Sequence, residues 1–337
     1  MSTLSETKYS PEEIRQKMQI VPRPDGSTVS FFTDHTGSIR STVYTPFPGV
    51  SLVQKDVHMP QFITNWRYGP VNALAIEYCR EGRLECQVGE DCLYVAPGDV
   101  IIFRTDPNLR MLHYPSSHYH AVTVMIFMDE PSPVLDLHLG MANFSPEMLI
   151  EKYLPDNRYY SVLTNTELLT NIFEAMVHVP ESVKNMYFGV KILETLILLA
   201  SEIPEINENP ARRVPRHQAD MAKRVCAYVM EHPEERYSID DLAEKFSISP
   251  TQLKKYFQVV YGTSMQKFIR EQKIKAAAKV LETTDKKVTE VAQMFGYSNI
   301  SKFADAFKSI IGEYPKQYSL RYCTVSDDDI QKASDWD

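Results

Sequence analysis

No apolar run in the 337 residues approaches the ~18 that a membrane-spanning helix needs. Cysteine is scarce: Cys79, Cys86, Cys92, Cys226 and Cys323 form an odd, scattered set. That suits a reducing compartment better than a disulfide framework. The first residues, Met1 to Glu13, are polar and acidic, without the basic-then-apolar order of an export signal. A cytoplasmic location with no membrane attachment is the expectation. Net positive charge is also missing: 36 Lys+Arg against 44 Asp+Glu leave −8. Averaged over the chain, that balance speaks against a nucleic-acid partner.

The average hides a gradient. Residues 1–216 carry 18 basic and 26 acidic side chains, residues 217–320 carry 16 and 13, and residues 321–337 carry 2 and 5. Only the middle segment is positive, and mildly so; any case for nucleic acid has to come from its motifs. The length also exceeds one ordinary core, so two domains are expected.

Residues 1–30 show no sustained period and read as a loosely docked arm. From about Thr42 to Asp129 the chain is strand-like. Ala73 to Cys79 is a mostly apolar run, and Arg83 to Val88 alternates with period two. Gly89-Glu90-Asp91 marks a hairpin, and Cys92 to Ala96 returns from it. Pro97-Gly98-Asp99 has the Pro-then-Gly order of a type II turn; Val100 to Phe103 leaves it, and Ala121 to Met128 is a further strand. Short strands at this spacing predict a small antiparallel barrel or sandwich. Its three cysteines leave a thiol sensor or metal site open beside the simpler reading as small buried hydrophobes.

The period then becomes helical. Thr166 to His178 is one predicted helix. Asn185 to Glu202 is another, with Met186, Gly189, Val190, Leu193, Leu196, Ile197 and Ala200 on one stripe widened by Phe188, Ile192 and Leu199. So broad an apolar surface calls for two partners, the domain itself and a sister subunit, and a homodimer through this helix is expected. Glu202 to Arg216 holds Pro204, Pro210 and Pro215 among Glu and Asn, a linker composition. The domains are therefore set at 1–202, a linker at 203–216, a C-terminal domain at 217–322 and an acidic, disordered tail at 323–337.

The C-terminal domain contains a duplication. In its first copy Ser238 caps a helix carrying Leu242, Ala243 and Phe246, and Asp241 completes a capping-box-like start. After the break Ser247-Ile248-Ser249-Pro250, a second helix runs from Thr251 to Tyr261 with Leu253, Tyr256, Phe257 and Val260 inward, ending at Gly262. In the second copy Val288, Val291, Ala292 and Phe295 repeat the first pattern. Gly296-Tyr297-Ser298 is the break, and Asn299 to Ile311 the second helix, with Phe303, Phe307 and Ile310 inward and Gly312 at its end. A helix over Ser264 to Thr283 joins the copies. A rod of about 20 residues spans about 30 Å, close to the ~34 Å between successive major grooves on one face of B-DNA.

These residues resemble the AraC/XylS-type transcription regulators. The likeness lies in Leu-Ala-x-x-Phe-x-Ile-Ser-x-x-x-Leu-x-x-x-Phe from Leu242 and Val-Ala-x-x-Phe-Gly-Tyr-Ser-x-x-x-x-Phe-x-x-x-Phe-Lys from Val291, with Gly262-Thr263-Ser264, Gly312 and Pro315. The resemblance implies an α+β protein: an N-terminal cupin-like β-barrel with helices, then an all-α domain of two helix-turn-helix units joined by a long helix. It implies double-stranded DNA as partner and no catalytic set. The base-reading positions it gives are Thr251, Gln252, Lys254 and Lys255 in the first unit, and Ile300, Ser301 and Lys302 in the second. The family often has Arg where Asp305 and Lys273 stand. A carboxylate at Asp305 repels phosphate, so the second unit is expected to bind more weakly.

In the N-terminal part, Glu77-Tyr78, Glu81-Gly82 and Pro97-Gly98-Asp99 resemble the family's sensor domain. Tyr78, Tyr94, Phe103, His118, Tyr119 and His120 are expected to line a pocket for a small organic effector. His118-Tyr119-His120 has the His-x-His spacing of cupin metal sites, which makes a metal-binding cupin sensor or enzyme the alternative. Val124 and Met125 stand where that pattern has Glu, so no metal or other cofactor is assigned. A DNA-repair alkyltransferase, which can carry a similar DNA-binding domain, needs a reactive Cys in Pro-Cys-His context; no cysteine here has it.

Overall fold

The structure, a computed structural model, describes residues 11–63, 72–88, 90–105, 111–130, 132–140, 144–163, 167–201, 213–232, 235 and 237–323. The chain divides into two compact units, Met1–Val214 and Pro215–Asp337. Most of the expected linker (202–212) and the acidic tail beyond Cys323 lie outside the described residues.

The first unit runs α1 (Pro11–Lys17), β1 (Gln19–Pro22), β2 (Thr28–Asp34), β3 (Gly37–Phe47), β4 (Val50–His58), β5 (Gln61–Ile63), β6 (Ala73–Gly82), β7 (Leu84–Val88), β8 (Asp91–Val95), β9 (Val100–Arg104), β10 (Met111–His113) and β11 (Tyr119–Phe127). Then come α2 (Pro133–Leu139), α3 (Pro146–Tyr153), β12 (Tyr160–Leu163), α4 (Glu167–Ala175), α5 (Lys184–Ala200) and β13 (Arg213–Pro215). One sheet has eight strands in the order β1-β2-β3-β4-β11-β6-β9-β12, and a second has five in the order β13-β8-β7-β10-β5.

Among the described residues neither sheet closes on itself, so the expected barrel is replaced by two open sheets. The chain passes between the two sheets at several connections, and Gly82 makes one of them. Its φ of +79° turns the chain out of the large sheet and into β7 of the small one, and a Cβ there would lie 1.9 Å from the His118 carbonyl oxygen. Only glycine permits that approach. The expected N-terminal arm is also corrected from residue 11 onward: α1 buries Ile14, and β1 and β2 join the large sheet.

Alternation along the strands gives the large sheet two buried faces. Leu52, Leu74, Ile76, Tyr78, Val100, Val122, Val124 and Ile126 pack with Leu149, Phe173, Phe188, Ile192, Leu196 and Leu199 of the helices. Ile39, Val57, Cys79, Ile101, Tyr119, Ala121 and Val162 face the other way and pack with Phe62, Leu84, Val95 and Tyr114 from around the second sheet.

The second unit is helical: α6 (Arg216–Glu231), α7 (Ile239–Lys245), α8 (Pro250–Tyr261), α9 (Met265–Thr283), α10 (Val288–Met294), α11 (Ile300–Ile311) and α12 (Pro315–Cys323). At 19 residues α9 is about 28 Å long, and α6, α8, α10, α11 and α12 all pack on it. Its Lys273 is buried, and the ammonium donates 2.7 Å to the Glu235 carbonyl. No described helix is long and apolar enough to cross a membrane.

Candidate nucleic-acid interface

Each half of the second unit is a short helix, a tight turn and a longer helix. Ser238 starts α7 with a reciprocal cap: the Asp241 N–H donates to its Oγ, and its own N–H donates to Asp241. Ser249 and Gln252 repeat the device on α8, with Pro250 in the first turn. Asn299 caps α11 by accepting from the Lys302 N–H at 3.1 Å. Gly262 and Gly312 end α8 and α11 in the left-handed conformation. Such caps contribute about 1 kcal/mol each and fix where each longer helix begins.

The inner faces are closed. Leu253, Tyr256, Phe257 and Val260 of α8 are buried, as are Phe303, Ala306 and Phe307 of α11. The opposite faces are open: Thr251, Gln252, Lys254 and Lys255 in the first unit and Ile300, Ser301 and Lys302 in the second are all exposed. Because the Gln252 Oε1 accepts from the Ser249 hydroxyl and backbone, its amide NH2 is the end left for an outside acceptor. Asp305, one turn after Lys302, is exposed on the same open side. These are the exposed polar helix starts that a major groove admits.

Residues 242–321 match the family model described as "Helix-turn-helix domain". An uncharacterized HTH-type transcriptional regulator of Staphylococcus aureus is 34% identical over 99 residues, 29% of this chain and 13% of that protein. The XylDLEGF operon transcriptional activator 1 of Pseudomonas putida is 23% identical over 235 residues, covering 68% of this chain and 69% of that protein. Among solved structures, a DNA-binding transcriptional dual regulator from Escherichia coli K-12 aligns over 31% of this chain and 93% of its own at 24% identity and a TM-score of 0.29. The chain thus spans about an eighth of the length of the Staphylococcus relative. The second unit is a DNA-binding helix-turn-helix domain. Its type is AraC/XylS.

In the first unit, the six residues expected to line one effector pocket separate into four places. Tyr119 and Phe103 are in the core between the sheets. Tyr78 is in the other core, stacked on Phe173 of α4 at 5.4 Å, its hydroxyl donating to Glu174. Tyr94 alternates with Leu93 and Val95, both in the inter-sheet core. It therefore sits on the far face of the second sheet, where its hydroxyl donates to Glu85 at 2.6 Å. His118 and His120 flank the inward Tyr119 and point out of the sheet.

One polar cluster escaped the sequence reading, and a second was seen there only as its His118–His120 pair. Glu77 is almost fully buried between the sheets, ion-paired with Lys55. It accepts from the hydroxyls of Tyr119 at 2.7 Å and Thr123 at 2.8 Å. Burial alone would raise its pKa; the Lys55 ammonium and the two hydroxyls outweigh that and hold it below the usual carboxylate value. The signal was a lone carboxylate within the apolar run Ala73–Cys79. Nearby, burial first and then the charge of Glu77 push the Cys86 thiol up to about 12, which leaves it inert as a nucleophile.

The second cluster gathers His58, His118 and His120 with Asp56 and Glu81. Burial, with the neighbouring His120 and His58, lowers the pKa of His118 against its hydrogen bond to Glu81. His58 lies 60 and 62 residues from His118 and His120 in sequence, and no local spacing links it to them.

Proposed function

We propose that the chain is a sequence-specific regulator of transcription. The first turns of α8 and α11 read DNA, and the first unit controls them. The observation that carries this reading is the capped, duplicated pair of helices with an open polar face on each. Relatives named as transcriptional regulators support it. The domain limits proposed are 1–202 for control and 217–322 for DNA, inside a cytoplasmic protein. The test is binding of residues 213–323 to promoter fragments at graded salt: affinity falls steeply as salt rises, because Lys contacts release phosphate counterions. Absence of salt-sensitive binding on every fragment would refute the reading.

The control proposed for the first unit is a small organic effector. Its place is the cupin-like core between the two sheets, where Tyr119 and Phe103 supply aromatic walls and Lys55–Glu77 a polar centre. Such a ligand has to bind one conformation of the regulator more tightly than the other to alter DNA binding. The partner proposed for α5 is a second copy of the chain. Leu196 belongs to the helix–sheet core, which removes it from the expected interface, whereas Met186, Val190 and Ile197 are exposed. With half-buried Leu193 they follow spacings of four, three and four residues, the seam of a coiled coil.

A further inference from the structure

Three imidazoles and two carboxylates converge on the helix-bearing face of the large sheet, at one end of the adjacent strands β4, β11 and β6. Asp56 is opposite His120 in the β4–β11 register, and Glu81 is opposite His120 in the β11–β6 register. His58 follows Asp56 by two residues, and His118 precedes His120 by two. All five therefore share one face while Val57 and Tyr119 between them point inward.

The contacts are close. Asp56 Oδ1 lies 2.8 Å from His58 Nε2 and 2.7 Å from His120 Nε2. Glu81 Oε2 lies 3.2 Å from His118 Nε2 and 3.4 Å from His120 Nδ1. The ring centroids are 4.4 to 5.5 Å apart. One ligand atom from each of the three histidines falls within 4.8 Å of the other two.

We propose that His58, His118 and His120 bind one divalent cation of the borderline class, zinc foremost, with Asp56 and Glu81 supplying the fourth donor and the compensating charge. Imidazole nitrogen selects such ions over magnesium and calcium, which take oxygen ligands. The charge closes: a dication, two carboxylates and neutral imidazoles sum to zero. The size closes too. Nitrogens at about 2.0–2.1 Å from a tetrahedral zinc stand about 3.4 Å from one another. Rotation of partly exposed rings reaches that without moving the strands. The side chains of His58, His118 and His120 are 52%, 29% and 26% exposed, so an ion enters from solvent.

The site uses the pair that the His-x-His spacing singled out, but outside the core between the two sheets. The spacing alone leaves open which face of the strand carries the pair. Here the pair faces away from Tyr119 and the inter-sheet core, and the third histidine comes from the neighbouring strand. A bound ion would tie β4, β11 and β6 together. Glu81 also approaches Arg80, whose guanidinium lies 3.6 Å from Glu174 of α4, so the ion would sit beside a link between sheet and helices. The competing occupant is the proton: a set of histidine–carboxylate pairs with no affinity for a cation.

The experiment uses the full chain, stripped by chelator and dialysed. Calorimetric titration with zinc ion is expected to show one equivalent bound, with magnesium showing none. Cobalt(II) ion is expected to give the visible absorption of a tetrahedral site. His120→Gln and His58→Ala should each weaken zinc at least about tenfold, while His138→Ala, at an exposed histidine elsewhere, leaves it unchanged. His58 is half-exposed, so its loss reports on binding without threatening the fold. No saturable zinc binding, equal binding of magnesium, or undiminished zinc affinity in His58→Ala would each overturn the proposal.

Discussion

Ser247 and Gly296 occupy the same place in the two helix-turn-helix halves, each the first residue of its turn and each left-handed, with φ of +53° and +76°. The N–H after each donates back to the small residue of the first helix, Ile248 to Ala243 and Tyr297 to Ala292, both at 2.9 Å. The duplication thus extends to individual backbone hydrogen bonds. Left-handed backbone costs a residue with a Cβ about 1–2 kcal/mol, and glycine little. Gly296→Ala should destabilise the isolated second unit by about 1 kcal/mol. Ser247→Gly should leave it unchanged or slightly more stable. Urea unfolding of residues 213–323 reads both, and equal losses would show that the turns are not equivalent.

On DNA the two halves are expected to differ. Lys254 and Lys255 are exposed on α8 with no acidic residue in its first turn, whereas Lys302 on α11 shares its open side with Asp305. Lys254→Ala and Lys255→Ala should therefore weaken binding more than Lys302→Ala, and each should lower the salt slope by about 1. Asp305→Ala should tighten binding. Reversed losses, or no gain from Asp305→Ala, would show that α11 carries the larger electrostatic share.

The helical half was readable because its signals are local. Ser238, Ser249 and Asn299 cap, Gly262 and Gly312 terminate, and the apolar spacing lies within each helix. The individual strands were readable for the same reason: Pro97-Gly98 marked a turn, and Gly98 has the positive φ that turn requires. What stayed hidden depends on pairing between distant segments. His58 meets His118 only because β4 pairs with β11, and Lys55 meets Glu77 only because β11 lies between their strands. The single barrel gave way to two open sheets because the chain crosses between them at several connections, the one at Gly82 among them, and sequence spacing records no strand order. The effector residues were grouped by type; alternation then sent Tyr94 and Tyr119 to other faces than Tyr78 and His118, and those two lie apart on one face of the large sheet.

The dimer proposal separates residues that the helical stripe had merged. Val190→Glu and Ile197→Glu lie on the exposed seam of α5 and should give a folded monomer in sedimentation analysis. Leu196→Ala, in the core, should keep the dimer but cost about 2–5 kcal/mol of stability. A dimer that survives Val190→Glu together with Ile197→Glu would place the interface elsewhere.

Lys55 and Glu77 couple stability to acidity, and they are the polar centre of the proposed effector site. Glu77 has a folded-state pKa below its unfolded value, so its contribution to stability is fully present above the unfolded carboxylate range, near pH 4.3. It is lost as pH falls through the lowered folded value. Lys55→Met removes the ammonium and leaves a buried carboxylate with hydroxyl partners only. The expected cost is about 3 kcal/mol at neutral pH. Burial then dominates, Glu77 shifts upward, and the variant's stability should rise as pH is lowered through that new value toward the unfolded one, opposite in sign to the parent. Lys55→Met with Glu77→Leu removes both charges and should recover most of the loss, so the two changes are strongly non-additive. The same double variant tests the effector. A small organic ligand seated at this polar centre should raise the thermal midpoint of the parent first unit and leave that of the double variant unmoved, because binding to the folded state alone is what stabilises it. A midpoint shift that survives in the double variant would place the ligand away from Lys55 and Glu77 and make the pair a purely structural one.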